Sequence, residues 1–371
     1  MSFSVGIVGL PNVGKSTLFN ALTKQQAAAS NFPFTTIDPN VGVINLPDER
    51  LAKLAMLEKS EKIVPTSIEF VDIAGLVKGA AEGAGLGNKF LSHIREVDAI
   101  VQVVRFFENK EIIHVDGSVN PARDIEVINL ELMLADLATV NKRGESLGKE
   151  IKAGDKEAII LKAALEKIKT ALELGQPART VSLNEEELRL VKQLQLLSMK
   201  PTLYVANTSS STTPPLIPPH QGEGNPVPPP EWGRLGGGED FVALDVKLES
   251  ELAELTDNER LEYMKELGIN ESGLDRLARA AYKLLNLITF ITAGPKESKA
   301  WTIVAGTKAP QAAGVIHTDF ENGFIKAEII QWDKLLEAGG YGPARDKGWL
   351  RIEGKEYVMN DGDVAHFRFN L

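Results

Sequence analysis

The sequence predicts an α/β fold on a parallel sheet, interrupted by a helical hairpin and followed by a small mixed-β domain. Three observations carry this reading. Over residues 1–105, short apolar runs alternate with polar helices and Gly-rich loops. Over residues 125–199, apolar residues recur at helical spacing. From Thr289 onward the pattern changes to short β-runs separated by Gly.

The first strand is Ser4–Val8, a short apolar run. It leads into Gly9-Leu-Pro-Asn-Val-Gly-Lys-Ser-Thr17, which fits the phosphate-loop pattern G-x-x-x-x-G-K-[ST]. Thr17-Leu-Phe-Asn-Ala-Leu22 then has helix spacing, so the loop joins a strand to a helix as the motif requires. Backbone N–H groups of such a loop converge on phosphate oxygens, and the helix N-terminus adds partial positive charge. Lys15 would reach the β- and γ-phosphates, and the Ser16 hydroxyl would sit on Mg²⁺.

The next strands are Val41–Ile44, Ser67–Asp72 and Ala99–Arg105. The third of the four strands ends in Asp72-Ile-Ala-Gly75, a D-x-x-G pattern. Asp72 would hold Mg²⁺ through water, and the Gly75 N–H would touch the γ-phosphate. Both motifs lie at strand ends, where open α/β sheets bind ligands. The loop Asn31–Asn40 carries Thr35 and Thr36. One of these hydroxyls would complete the Mg²⁺ shell once a γ-phosphate orders the loop, the coupling used by nucleotide switches.

Ile125, Ile128, Leu132, Leu134 and Leu137 form one apolar series, and Ile159, Leu161, Leu165, Ile168 and Leu172 another. Gly148 and Gly154-Asp155 separate them. This predicts an antiparallel coiled-coil hairpin over 125–199, with a packed helical subdomain as the alternative. Pro201–Ala206 returns the chain to the sheet. Ser211–Asp240 then holds 8 Pro and 6 Gly and fits no ordinary helix or strand, although a helix and a last strand are expected there. A natural insertion and a local frame error both account for it. Glu249–Leu267 and Asp275–Leu287 read as helices. The β-runs that follow are Thr289–Thr292, Ala300–Val304, Ile325–Ile330, Lys355–Val358 and Val364–Asn370.

Composition narrows the chemistry. The 371 residues are 43 % hydrophobic, enough for two or three domains with real cores. The absence of cysteine excludes disulfides, thiolate metal sites and a Cys nucleophile, and fits a reducing compartment. No apolar run is long enough to span a membrane, and the N-terminus enters the first strand without a signal peptide, so the expected location is cytoplasmic. The net charge of −10 argues against a general nucleic-acid surface, and no DNA partner is expected. Asp275–Leu371 is nearly neutral, with 13 Lys and Arg against 12 Asp and Glu, so any RNA contact would be local and C-terminal.

Taken together, these motifs have a family likeness. The chain resembles the YchF (Obg-like ATPase) family of translation-factor-class P-loop NTPases. Gly9–Thr17, Phe32–Asn40, Asp72–Leu91, Ala309–Gly314, His317–Ile325 and Asp361-Gly-Asp363 carry the match, which fails only around residues 208–245. The resemblance implies an OBG-type nucleotide-binding domain at 1–124 and 200–275, a coiled-coil insertion at 125–199 and a β-grasp-like TGS domain at 283–371. It implies ATP binding and hydrolysis and association with the ribosome, the large subunit in particular. It makes Ser16 and Thr36 the Mg²⁺ ligands and Asn12, Val13, Gly14, Lys15, Ser16 and Thr17 the phosphate-binding residues. Asn12 is also a candidate ligand for K⁺, as similar Asn residues are in related switch proteins.

The base is read less completely. Guanine readers use N-K-x-D, whose carboxylate would be left unpaired by the wrong base. No Asn-Lys pair in this chain is followed by x-Asp. The family pattern N-x-x-E begins properly at Asn207, with Thr208 beside the base, but Ser210 replaces the Glu. For hydrolysis, Leu76 follows D-x-x-G and cannot orient water. His114 is the candidate in its place, ahead of His93, which falls on a helix. The leading reading is a Mg²⁺-dependent ATP-hydrolysing switch. The alternatives are a hydrolysis-deficient ribosome- or RNA-binding module and a GTPase.

Overall fold

The computed structural model of the chain describes residues 3–28, 40–73, 87–107, 119–209 and 241–370. Thr36, Gly75, His114, Ser210 and Ser211–Asp240 lie outside the described residues. The chain divides into two units. One takes Phe3–Gly42 and Glu69–Leu277, the other Val43–Ile68 and Ala278–Leu371.

One sheet contains β1 (Ser4–Val8), β2 (Val41–Asn45), β4 (Ser67–Asp72), β5 (Ala99–Arg105), β6 (Thr202–Asn207) and β7 (Phe241–Leu244), in the order β2-β4-β1-β5-β6-β7. β4, β1, β5, β6 and β7 pair in parallel. Every residue of β5 is buried, as expected for a central strand covered on both faces. Its one amide, Gln102, donates to the Asp124 carbonyl at 3.3 Å. Registers bring the strand ends level: Asp72 lies opposite Ile7, and Arg105 opposite Asn207. On one face, Phe90 and Ile94 of α3 (Asn88–Glu96) pack with Ile128, Leu132 and Leu197 against Val8, Ile73 and Ile100.

The missing last strand of the sequence reading is present. β7 starts just beyond the Pro- and Gly-rich stretch and pairs with β6 from Tyr204↔Phe241 to Asn207↔Leu244. Four apolar residues suffice, because Phe241 stacks on buried Tyr204 with ring centroids 5.1 Å apart.

Between the neighbouring strands β5 and β6 the chain forms a helical subdomain. α4 (Pro121–Lys152) has Pro at its start and Asn120 as cap, accepting from the Arg123 N–H. Ala153-Gly154-Asp155 turns the chain, with Gly154 at φ +82°, and Asp155 caps α5 (Lys156–Glu173). Val140 and Leu147 of α4 pack on Leu161, Leu165 and Ile168 of α5, each contributing about 1.5–3 kcal/mol by burial. The sequence reading ran the second helix too far. α5 ends at Glu173, and a third helix, α6 (Glu185–Lys192), starts from a capping box of Asn184 and Glu187 and adds Leu190 and Val191 to the same core. The expected helix Glu249–Leu267 is likewise two, α7 (Val246–Leu252) and α8 (Asp257–Glu266), because Thr256 and Glu259 cap a new start. α9 (Gly273–Leu284) follows, its first amides bonded to the buried Glu249 carboxylate.

The second unit is a mixed sheet ordered β11-β10-β12-β8-β9-β3. Its strands are β3 (Lys62–Val64), β8 (Leu287–Thr292), β9 (Glu297–Val304), β10 (Phe324–Gln331), β11 (Arg351–Glu353) and β12 (Asp363–Phe369). β8 and β9 form a hairpin, and the last strand, β12, lies parallel to β8 at the centre. With α10 (Ala309–Ile316) across the face, this is the β-grasp arrangement. Ala309, Ala312 and Ala313 of α10 pack on Phe290, Phe324 and Phe367. The other face holds Leu51 and Leu54 of α2 (Glu49–Glu58) against Ile291, Ala300, Ile330 and Val364. Strand β3 adds to the hairpin edge through Lys62↔Glu297 to Val64↔Lys299. The expected strand Lys355–Val358 is a turn and a single bridge from Val358 to Lys308; the strand is Arg351–Glu353, on the other side of Gly354.

Candidate functional site

The loop after β1 is shaped by residues in the left-handed region. Gly9 has φ +150°, Asn12 φ +63° and Gly14 φ +102°. At Gly9 a Cβ would lie 2.5 Å from the Val103 carbonyl, so the loop can rest on β5 only without a side chain there. Val13 is buried beneath the loop. α1 (Lys15–Ala28) begins at once, with Leu18, Ala21 and Leu22 turned inward and Ser16 and Thr17 on its first turn. The open amides and positive end of this helix form a cradle for an anion.

Two charges border the cradle. The Lys15 ammonium donates to the Leu10 carbonyl at 2.6 Å. Burial pulls its pKa down to about 8, against the Asp72 charge, which raises it. Asp72 is buried at the end of β4, and its N–H donates to the Asn40 carbonyl at 3.0 Å. Its Oδ1 is enclosed and has no hydrogen-bond partner among the described residues. A buried carboxylate oxygen without a donor is costly unless a cation or a bound water satisfies it.

The opposite wall comes from β6 and α7. The Asn207 amide donates to the Val13 carbonyl at 2.9 Å, and its oxygen accepts from the Val246 N–H at 3.2 Å. A Cβ on Gly14 would meet that amide nitrogen at 2.4 Å. Thr208, also buried, donates its N–H to the Leu244 carbonyl at 3.0 Å.

The chain has close counterparts among known proteins. Residues 4–135 match the family model described as 50S ribosome-binding GTPase, and residues 287–370 match YchF-GTPase_C, described as a protein of unknown function (DUF933). The ribosome-binding ATPase YchF of Bacillus subtilis (strain 168) is 53 % identical over 371 residues, covering 100 % of both chains. The chain belongs to the YchF family. The Obg-like ATPase 1 of Oryza sativa subsp. japonica is 43 % identical, over 99 % of this chain and 92 % of the rice protein. The solved structure of the Schizosaccharomyces pombe YchF GTPase aligns with a TM-score of 0.84 at 38 % identity, covering 99 % of this chain and 98 % of that one.

Within this chain, Asn12, Val13, Gly14, Lys15, Ser16, Thr17, Asp72, Asn207 and Thr208 all fall at the C-terminal edge of the β4-β1-β5-β6 sheet. The structure gives Asn207 a bracing task, since both ends of its amide are bonded to main chain. His93 sits on α3, with Nδ1 3.6 Å from Glu96 Oε2. Sequence reasoning missed two features. One is Val246 at the start of α7, which no motif marks. The other is Arg105, fully buried at the end of β5, donating to the Phe107 carbonyl at 3.0 Å and stacked 4.6 Å from its ring. An arginine closing a strand that is apolar apart from Gln102 was the available signal.

Proposed function

We propose that this chain is a Mg²⁺-dependent ATPase switch that associates with the ribosome in the cytoplasm, on the large subunit. The observation that carries the reading is the buried Asp72 carboxylate beside the loop, near enough for its charge to act on Lys15, with Oδ1 lacking a donor among the described residues. A Mg²⁺ ion fits that residue set. It prefers few protein ligands, several waters and phosphate oxygens. Among the described residues no cluster of three or more His, Asp or Glu would compete as a carboxylate cage. Ser16 and Thr36 would hold the ion directly and Asp72 through water. When bound, it would neutralise charge on the β- and γ-phosphates.

The protein's own groups would do the rest. The amides of Asn12 to Thr17 orient the phosphates, and Lys15 gives up the Leu10 carbonyl for a phosphate oxygen. The Gly75 N–H contacts the γ-phosphate. His114 positions the attacking water, since Leu76 cannot. Asn12 is the candidate for K⁺. Asn207 holds the base side by bracing Val13 and Val246, with Thr208 beside the base. The names of the bacterial and rice relatives and the absence of N-K-x-D support ATP. The fission-yeast relative is described as a GTPase, which supports GTP as the second reading.

Competition decides between them. Labelled ATP bound with Mg²⁺ should resist a roughly tenfold excess of GTP, and phosphate release should be faster from ATP. Displacement by equimolar GTP would overturn the ATP reading. Co-sedimentation with isolated large and small subunits tests the partner. Equal recovery with both would remove the large-subunit assignment.

A further inference from the structure

The turn Leu197–Lys200, just before β6, gathers contacts from three elements. From α4, the fully buried Asp136 carboxylate accepts from the Leu197 N–H at 2.7 Å, the Ser198 N–H at 2.7 Å and the Ser198 hydroxyl at 2.6 Å. From the segment that follows α5, the Ala178 N–H donates to the same Ser198 oxygen at 3.1 Å. Towards α3, Lys200 donates to the carbonyls of Arg95 at 3.0 Å and Val97 at 2.5 Å. Lys200 therefore caps the C-terminal end of α3, where free carbonyls and the helix dipole favour a cation. Arg95 adds a second link, with Nη2 3.5 Å from Thr139 Oγ1 of α4. Its buried Nε has no partner among the described residues, so this contact is the less satisfied of the two.

α3 is well placed to feel the nucleotide. Among the described residues it is the first helix after Asp72, and its Phe90 and Ile94 pack on Val8 and Ile73, the residues flanking Gly9 and Asp72. On the far side of the turn, β6 leads to Asn207 and the brace on Val13. We propose that the Leu197–Lys200 turn is the joint through which α3 and the α4–α5 hairpin move together when the bound nucleotide changes. The inference rests on the switch reading above and adds a defined linkage to it. More than packing is involved: a buried carboxylate and an ammonium, both hydrogen-bonded, hold one four-residue turn from two sides.

The test uses the full chain with Mg²⁺ and either ADP or a non-hydrolysable ATP analogue. Hydrogen exchange of residues 137–173 should differ between the two nucleotides in the unaltered protein. In Lys200→Met that difference should be lost, while affinity for both nucleotides stays within about twofold. Retention of the full difference in Lys200→Met would overturn the joint. So would identical exchange in an unaltered protein that binds both nucleotides. Failure to bind either nucleotide would overturn the switch reading and the joint with it. A second measurement does not depend on Lys200→Met folding. The chain has no cysteine, so Lys89→Cys on α3 and Glu145→Cys on α4, both exposed, accept a pair of spin labels. Their separation should stay constant between the two nucleotides, whereas a change of several ångströms would show α3 and the hairpin moving apart.

Discussion

Asn207 binds Val13 across most of the first unit's sequence: its side-chain amide donates to the Val13 carbonyl at 2.9 Å. The same side chain accepts from Val246. One residue therefore fixes the phosphate loop to the start of α7. In Asn207→Ala the Val13 carbonyl and Val246 N–H lose a buried partner, at a cost of about 1–3 kcal/mol. Nucleotide affinity should fall roughly tenfold. Fluorescent-nucleotide titration and urea unfolding measure the two effects, and unchanged affinity would reduce the brace to a packing contact.

Lys15 predicts an unusual pH dependence for the nucleotide-free protein. Its pKa is about 8 when folded and the usual 10.5 when unfolded. Below pH 8 the folded state buries a charge, which costs stability. Between 8 and 10.5 only the unfolded chain holds the proton, so this residue makes stability rise with pH. Lys15→Met should therefore stabilise the empty protein at pH 7 by about 2 kcal/mol after allowance for solvent screening. The gain should shrink as pH rises from about 8 to 10.5 and be absent above that. Nucleotide binding should be lost in the same variant. Unfolding curves at the two pH values suffice, and a destabilised Lys15→Met at pH 7 would contradict the assignment.

His114 carries the hydrolysis step in the proposed mechanism. His114→Ala should lower single-turnover hydrolysis by about a hundredfold while leaving ATP affinity within about twofold. Wild-type turnover in the variant would assign the water to another group.

Arg50 is the electrostatic clasp of the β-grasp unit. It bonds Asp48 through Nε and Nη2 and Asp361 Oδ2 through Nη1 at 2.6 Å, while Asp361 Oδ1 accepts from the Thr289 N–H at 2.9 Å. Burial pushes the Asp48 carboxyl upward, but the hydrogen bonds and charge of Arg50 win and hold it below 3.8. Its contribution to stability is thus complete above that value and lost as pH falls below it. Arg50→Ala should cost about 2 kcal/mol at pH 7. Acid unfolding followed by circular dichroism should begin at higher pH, and an unshifted acid transition would separate Asp48 from this network.

Much of this was legible from local pattern. Apolar runs located β1, β5 and β6, whose residues are nearly all buried, while β4 showed the apolar alternation of a half-buried strand. The loop Gly9–Thr17 was legible because each of its glycines meets a backbone demand. Pairings between distant segments were not legible. Nothing in Lys62-Ile-Val64 announces that it joins β9, since three residues carry almost no periodicity. β7 was hidden by its neighbourhood of Pro and Gly. Lys355–Val358 has strand composition, yet the turn after Gly354 takes its backbone away from the ladder. At the site, Asn207 was found as a motif position, while its tie to Val246 depends on where the chain returns after residue 240.

The pairing of β3 with β9 also sets an order of events during synthesis. Val43–Ile68 leaves the translating ribosome early, with Leu51 and Leu54 still lacking the partners they cover in the finished protein. Those partners are encoded beyond Ala278. The segment must wait, exposed or chaperoned, while the hairpin, β6 and β7 are made. Truncation before Glu297 would accordingly yield more than a shortened protein: it would strand the apolar face of α2 and an unpaired edge, and proteolysis or aggregation would begin there.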